Sequence, residues 1–269
     1  MFNTTSSVIE LLTDFGTRDW YVASMKGVIL QTLPTVHLVD ITHQVQAGNI
    51  RNGSFVLQQC YQDFPKGSIF LVVIDPGVGT RRSPLVLKSG GYYFVGPDNG
   101  IFSFLREKQE QDFEARNIHE SVAGKASISQ TFHGRDIFAP AAAQLAAGQK
   151  YEEVGYLCQD IKQLATSQPE FKKNKVTGVI NFIDHYGNLI TNIMRGDWMA
   201  AYENVSAVTY KKNQIPLCRT FGDVPENELT AYFGSGGYLE IAVNGGNASE
   251  YLGLLPGSSV KLKIERDPS

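Results

Sequence analysis

An uninterrupted apolar run, residues 69–74, leads directly into a loop that contains Asp75, Pro76, two glycines and Arg82. In an open α/β sheet, ligands bind at the loops that follow the strands. Glycines let the backbone approach a ligand closely, and a proline stiffens the point where the chain leaves the strand. The segment therefore predicts a strand that ends at a functional loop. The alternative is a tight loop in which Asp75 and Arg82 form only a structural salt bridge.

Strand-like and helix-like segments alternate over the first half of the chain. Apolar runs predict strands, apolar residues at helical spacing predict helices, and a pair of runs around two glycines predicts a hairpin. The predicted strands are 8–12, 36–41 and 69–74, the helices are 21–33, 55–64 and 138–147, and the hairpin is 85–95. This alternation predicts an α/β sandwich with a mostly parallel sheet.

The second half of the chain has a different sequence pattern. Short β-rich segments are separated by glycine and asparagine turns, and long helical patterns are scarce. We therefore predict an N-terminal α/β domain over residues 1–165, a polar, proline-containing linker over 166–175, and a C-terminal all-β, barrel-like domain over 176–269.

Composition and spacing exclude several classes of protein. The 269 residues carry 24 Lys and Arg against 27 Asp and Glu, and the net charge of -3 argues against binding of nucleic acid. The N-terminus lacks the features of a secretion signal, and no apolar run approaches the roughly 20 residues needed to span a membrane. We expect a cytoplasmic protein. Three scattered cysteines and five histidines without metal-ligand spacing predict neither disulfides nor a metal site. No Walker A, GxGxxG or GxSxG motif occurs.

Three residues in polar loops are candidates for chemistry. Asp14 follows the first strand, where its carboxylate could accept hydrogen bonds from ribose hydroxyls, or it could cap a helix. His133 could act as a base or position water, or it could be a loop histidine bound to Asp136. Asn188 has an amide suited to an adenine edge, or it could form an Asx turn beside Gly187.

Eight segments, in order over nearly the whole chain, share one family pattern: 12–16, 21–27, 39–43, 73–82, 96–100, 131–140, 183–192 and 237–244. Together they resemble the S-adenosylmethionine (SAM) hydroxide adenosyltransferases. These adenosine-forming SAM hydrolases are related to SAM-dependent fluorinases and chlorinases. The resemblance implies an α/β domain followed by a β-barrel, and a homotrimer with active sites between neighbouring subunits.

The resemblance also implies roles for individual residues. Asp75, Arg82 and His133 correspond to the set that distinguishes hydroxide users from the halogenating branch. It implies that Asp14 contacts the ribose, Asn188 the adenine and Ser235 the methionine part of the substrate. Two further substrate-binding residues, Asp184 and Tyr186, lie in the same loop as Asn188. Gly234 stands where the resemblance implies an asparagine, and Gly236 replaces an arginine of the fluorinating branch.

The reaction implied is hydrolysis of SAM to adenosine and L-methionine, by attack of an activated water or hydroxide at C5′. SAM is the expected partner, with no metal, no cofactor, no nucleic acid and no membrane. Two alternatives remain open: a halide adenosyltransferase, and a non-catalytic sensor that binds SAM or adenosine.

Overall fold

The structure is a computed structural model that describes residues 7–108, 110–123 and 127–266. Residues 1–6, where we predict no secretion signal, lie outside the described residues. The chain divides into two compact units, Met1–Leu164 and Ala165–Ser269.

The first unit alternates strands and helices. Its elements are β1 (Val8–Thr13), α1 (Tyr21–Thr32), β2 (His37–Thr42), α2 (Ile50–Cys60), β3 (Ile69–Val73), β4 (Pro84–Ser89), β5 (Tyr92–Pro97), α3 (Ser103–Glu107), β6 (Glu114–Ile118), α4 (Ala139–Ala146), α5 (Tyr151–Val154) and β7 (Gly155–Cys158). Short 3-10 turns occupy Tyr61–Asp63 and Glu120–Val122, and a π-helical turn, Gly134–Phe138, leads into α4.

These strands form one sheet in the order β2-β1-β3-β5-β4-β6-β7. The pairs β2-β1, β1-β3 and β3-β5 are parallel, whereas β4, β6 and β7 continue the sheet in antiparallel pairing. The carboxyl ends of β1, β2, β3 and β5 therefore lie at the same edge of the sheet, where an open α/β sheet binds ligands.

Both faces of this sheet are covered. Alternate residues of β3 enter two different apolar clusters: Ile69, Leu71 and Val73 pack with residues of α1 and α4, whereas Phe70 and Val72 pack with residues of α2 and α3. A strand that is buried on both sides reads as a continuous apolar run. This is why polar and apolar residues do not alternate in the sequence of β3.

The second unit is built mainly from antiparallel strands. Its elements are β8 (Glu170–Lys172), β9 (Lys175–Ile183), β10 (Leu189–Met194), α6 (Arg195–Ala201), β11 (Val205–Tyr210), β12 (Asn213–Pro216), β13 (Leu229–Phe233), β14 (Tyr238–Val243), α7 (Ala248–Leu252) and β15 (Ser259–Arg266), with a 3-10 turn at Phe221–Asp223. The order is β12-β11-β15-β9-β10-β14-β13, and β8 pairs with β9. A bridge between Leu217 and Ala231 links the two ends of this order and nearly closes a barrel around an apolar interior.

The predicted fold class, an α/β sandwich followed by a barrel-like β unit, is confirmed. The segment 166–175, where we predict a linker, contains the short strand β8, which pairs with β9 from Glu170 to Lys172. The proline and charged residues that suggest a linker are compatible with an edge strand, since edge strands tolerate both.

Glu10 is a buried acid in the middle of β1. Its side chain is 0 % exposed, on a strand that pairs with β2 on one side and β3 on the other. Burial raises the pKa of Glu10 from 4.5 to about 7. The folded protein therefore binds a proton here more tightly than the unfolded chain does. Stability should decrease as pH rises from about 4.5 to about 7.

We expect Glu10→Gln to remove this part of the pH dependence, because the amide stays neutral at every pH. At pH 8 the variant should be more stable than the wild type by about 3 kcal/mol. At pH 4.5 the two proteins should be nearly equal. Urea unfolding at pH 4.5, 6 and 8 measures this, and parallel stability profiles of the two proteins would contradict it.

Candidate active site

The loops that follow β1 and β3 place two carboxylates at the same edge of the first unit. Asp14 comes directly after β1, and Asp75 follows β3 by two residues. The two residues are close enough for the charge of Asp75 to raise the pKa of Asp14, in addition to the larger effect of burial. Asn99, after β5, donates from Nδ2 to the carbonyl oxygen of Ile74 at 2.8 Å and so holds the backbone before Asp75.

Asp75 and Arg82 form a buried ion pair across their loop. Nε of Arg82 lies 2.9 and 3.0 Å from the two carboxylate oxygens, and Nη2 makes a further short hydrogen bond to Oδ2. The two side chains are only 5 % and 4 % exposed. Such a fork-like contact fixes the plane of the guanidinium as well as its position.

His133 is the third member of this group. Its Nδ1 lies 2.7 Å from Nη2 of Arg82, although the two residues are 51 positions apart in the chain. Because a guanidinium can only donate hydrogen bonds, Nδ1 must be the acceptor, and a neutral His133 carries its hydrogen on Nε2. Burial and then the charge of Arg82 lower the pKa of His133, while Asp75 and Asp136 act in the opposite direction.

One donor of Arg82 is left over. Within the described residues, the buried Nη1 atom has no hydrogen-bond partner. A buried charged donor without a partner is costly, so its presence at a site indicates where an acceptor from outside the chain can bind. Within the first unit, a cavity of about 650 Å³ is lined in part by Thr80, Gln130 and His133, and Arg82 is not among its lining residues.

Two local features hold the loops together. Gly79 has φ +76°, and a Cβ there would overlap the carbonyl oxygen of Gln130. Glycine at this position thus lets the Asp75 loop pack against the segment that leads to His133. The π-helical turn then begins directly after His133, and its Phe138 ring lies 5.1 Å from Cζ of Arg82. π-helical turns inside helices are frequent at functional sites.

The contacts of Asp75, Asp136 and Asp14 bear on the alternatives that the sequence leaves open. The Asp75–Arg82 salt bridge exists, but it also holds His133. Asp136 accepts both hydrogen bonds of the Arg135 side chain and one from the backbone of Ser129. Asp14 does not cap α1, whose N-cap is Trp20. Instead, its Oδ2 accepts a hydrogen bond from the backbone nitrogen of Gly48 at 2.7 Å.

In the second unit, Asp184 organises the loop between β9 and β10. Its Oδ1 accepts from the backbone nitrogens of Tyr186 and Asn188 at 2.9 and 2.8 Å, and its Oδ2 accepts from Nδ2 of Asn188 at 2.9 Å. The Asx turn that we considered for Asn188 is therefore formed by Asp184. Tyr186 is 74 % exposed.

Ser235 lies in the hairpin turn between β13 and β14, where its side chain is exposed. The structure explains the glycine before it. A Cβ at position 234 would overlap the carboxyl group of Glu240, which is hydrogen-bonded to Tyr232 and whose pKa is raised by burial. Glu240 occupies the space that an asparagine side chain would need. Sequence analysis does not find Glu240, since the clash appears only once β13 and β14 are paired.

Two further observations concern the described part of the chain. It contains no group of three or more His, Cys, Asp or Glu side chains placed to hold a metal ion. Among its helices, none combines the length and apolar character needed to cross a membrane.

Comparison with known proteins assigns the α/β unit and the β-barrel-like unit to the two domains of one family. The profile of the SAM hydroxide adenosyltransferase N-terminal domain matches residues 9–155, and that of the C-terminal domain matches residues 178–261. This chain belongs to the SAM hydroxide adenosyltransferase family.

Individual relatives agree with this assignment. The chain is 37% identical to the (R)-S-adenosyl-L-methionine hydrolase of Thermus thermophilus, over 94% of this chain and 98% of that one. It is 28% identical to the fluorinase of Nocardia brasiliensis, over 96% and 97%. A solved structure of a conserved protein from Thermotoga maritima superposes with a TM-score of 0.88 at 38% identity, covering 94% of this chain and 99% of that one.

We expect Asp75→Asn to lower the free energy of unfolding by about 3–5 kcal/mol, because it leaves the buried guanidinium of Arg82 without its counter-charge. Urea unfolding at neutral pH measures the change. The matched control is Asp160→Asn, which removes an ion pair with Arg106 whose acidic side chain is 90% exposed. The control should have no measurable effect. Equal effects of the two substitutions would show that burial does not strengthen the Asp75–Arg82 pair.

Proposed function

We propose that this protein hydrolyses SAM to adenosine and L-methionine, with Asp75, Arg82 and His133 as the catalytic group. The observation that carries the proposal is the buried Arg82, held on one side by Asp75 and His133, with Nη1 left without a partner. Membership of the SAM hydroxide adenosyltransferase family, and the (R)-SAM hydrolases among the relatives, support the same substrate and reaction.

The reaction is a displacement at the C5′ carbon of the ribose. The oxygen of water or hydroxide forms the new bond to C5′, the C5′–S bond breaks, and its electron pair returns to sulfur. Methionine leaves as a neutral thioether, so the leaving group needs neither a proton nor a metal ion. The site must therefore supply an oriented oxygen nucleophile in line with the breaking bond, and one proton from water passes to solvent.

Arg82 and His133 together can hold that nucleophile. Nη1 of Arg82 and the Nε2 hydrogen of neutral His133 are two donors. A hydroxide oxygen, which has three lone pairs, can accept from both and keep one lone pair for attack, whereas a water oxygen would keep none. Free hydroxide is scarce because the pKa of bulk water is about 15.7. A fixed guanidinium stabilises negative charge as it develops on the oxygen.

The hydrogen bonds also bear on which group takes the proton. Both carboxylate oxygens of Asp75 already accept from Arg82, and so does Nδ1 of His133. The lowered pKa of His133 further disfavours its protonation. We therefore favour a mechanism in which Arg82 stabilises the hydroxide form and His133 orients it, rather than one in which His133 removes the proton.

The remaining substrate contacts follow the family pattern. Asp14 has one carboxylate oxygen on Gly48 and the other available for the ribose diol. We assign adenine recognition to Asn188 and the methionine part to Ser235, with Asp184 and Tyr186 contributing from the same loop as Asn188. No metal or cofactor is required, and activity should be unchanged after treatment with EDTA.

The first test is to incubate the pure protein with SAM in ¹⁸O-labelled water. We expect adenosine carrying the label in its 5′-hydroxyl, together with L-methionine. His133→Ala should slow turnover by about 10²–10³-fold, as expected for loss of one donor to a developing negative charge, while SAM still binds. His37→Ala, at an exposed histidine of the same unit, should not slow turnover. Added chloride tests the halide alternative, which would yield 5′-chloro-5′-deoxyadenosine. SAM binding without any product would leave only the sensor alternative.

The pH profile tests the protonation state of His133. A second proton on the imidazole would place an N–H against the guanidinium of Arg82, so activity requires the neutral ring. Because the pKa of His133 is lowered, kcat/KM should stay high down to pH values below the ordinary histidine pKa of about 6.5. The decrease of kcat/KM at low pH is the acid limb of the profile. The weakly active His133→Asn variant should lack this acid limb. An acid limb at or above pH 6.5 that moves with His133 would contradict the assignment.

We also propose that the active form is a homotrimer in which each site combines first-unit residues of one subunit with second-unit residues of its neighbour, as the family resemblance implies. Co-expression of His133→Ala with Asp184→Ala tests this. Each variant alone should have very low activity. In randomly mixed trimers, about a quarter of the sites should combine an intact His133 from one subunit with an intact Asp184 from its neighbour. No recovery in mixed trimers would indicate that each site lies within one subunit. Light scattering gives the oligomeric mass.

A further inference from the structure

A series of polar contacts leads from partly exposed side chains on α1 and β2 to the buried start of the loop that contains Asp14. Nζ of Lys26, on α1, lies 2.6 Å from Oδ2 of Asp40 on β2. The other oxygen of Asp40 lies 3.1 Å from Nε2 of His43. Nδ1 of His43 is in turn 2.8 Å from the hydroxyl of Thr13, the last residue of β1.

The charge of Asp40 sets the direction of the hydrogen bond between His43 and Thr13. Burial alone would raise the pKa of Asp40, but its contacts with Lys26 and His43 lower it. The ionised carboxylate faces Nε2 of His43 at 3.1 Å, an ion-pair distance without hydrogen-bond geometry. A neutral His43 therefore carries its hydrogen on Nε2 and accepts at Nδ1 from the Thr13 hydroxyl. The Thr13 oxygen remains free to accept from the backbone nitrogen of Phe15, at 3.3 Å.

His43 also holds the far side of the same loop. Its carbonyl oxygen accepts from the backbone nitrogen of Gly16 at 2.7 Å, and Gly16 adopts φ +67°. Thr13 and Gly16 flank Asp14 and Phe15. The imidazole and the backbone of one residue thus anchor both ends of this four-residue turn.

The anchors act on the side of the turn that faces β2. On the side of β3, regular pairing continues to Thr13 with Val73. On the side of β2, the pairing shows a register irregularity between Leu11 and Leu12 and ends with the pair Leu12 and Thr42. Beyond that pair, this side is held by the His43 contacts and by the hydrogen bond from Gly48 to the carboxylate of Asp14.

We propose that Thr13, His43 and Asp40 are positioning residues that hold the Asp14 carboxylate in the geometry required for the ribose diol. This rests on the proposed function, which assigns the ribose to Asp14. Thr13 and His43 are 0% and 4% exposed. An apolar pair would fill this space without the cost of burying polar groups, so the polar series is explained by the orientation that it imposes on the turn.

The test compares two nucleosides that differ only where Asp14 acts. Calorimetry measures the Kd of adenosine and of 2′,3′-dideoxyadenosine for the wild type, Thr13→Val and Thr13→Ser. Thr13→Val keeps the side-chain shape but removes the hydroxyl, and we expect it to weaken adenosine binding by about three- to tenfold. Its affinity for the dideoxy nucleoside should equal that of the wild type. Thr13→Ser, which retains the hydroxyl, should bind adenosine as the wild type does.

Asp14→Asn provides the reference for a lost ribose contact. It should weaken adenosine binding selectively, and in this background Thr13→Val should have no further effect, because the two changes act through the same contact. If Thr13→Val weakens binding of both nucleosides equally, or of neither, the series is structural and the proposal is wrong.

Asp40→Asn covers the case in which Thr13→Val does not fold. Its side chain is 42% exposed, so the substitution disturbs the series from its solvent end, and a smaller selective loss for adenosine is expected. A wild type that binds neither nucleoside and forms no adenosine from SAM contradicts the proposed function itself. A wild type that forms adenosine but shows no selective loss in these variants contradicts the positioning role alone.

Discussion

The Asp75–Arg82 ion pair is the interaction on which the site depends. A guanidinium that is almost fully removed from water requires a counter-charge and partners for its donors. Asp75 takes Nε and Nη2, and His133 shares Nη2, so the position of the whole cation is determined by its own loop and by the start of the π-helical turn. The same contacts leave Nη1 as the donor that the chain does not use. In the proposed mechanism, this unused donor of a buried charge binds the oxygen nucleophile.

The parallel half of the sheet explains why these residues meet. Strands β1, β2 and β3 are neighbours that run in the same direction, so the residues after them emerge at one edge. Asp14, His43 and Asp75 each follow one of these strands. The edge carries two functions side by side: Asp75 holds the guanidinium, and the His43 series holds the turn of Asp14. Each carboxylate is fixed by different donors, so its position does not depend on the other.

The local patterns of the sequence were sufficient to predict strands β1 and β3 and the functional loops that follow them, because both strands are apolar runs buried in the core. The contact between Arg82 and His133 joins residues 51 apart, so no spacing in the chain indicates it, and only family resemblance brought the two together. The hydrogen bond between Thr13 and His43 depends on the register of β1 and β2. The reason for Gly234 depends on Glu240 from the paired strand. Side-chain contacts between elements are three-dimensional facts that periodicity does not contain.

Asp75 neutralises the charge of Arg82, and this affects whether water or a halide ion is the better nucleophile at this site. A halide ion carries its full charge before it enters the site, loses its hydration, and meets a guanidinium already neutralised by Asp75. Water enters uncharged, and negative charge appears on its oxygen when the proton leaves, before the bond to C5′ forms. In the proposed mechanism, the free donor of a neutral ion pair stabilises this charge inside the site, whereas it offers an incoming halide little to replace its lost hydration. The acid that holds Arg82 in place would thus also favour oxygen as the nucleophile.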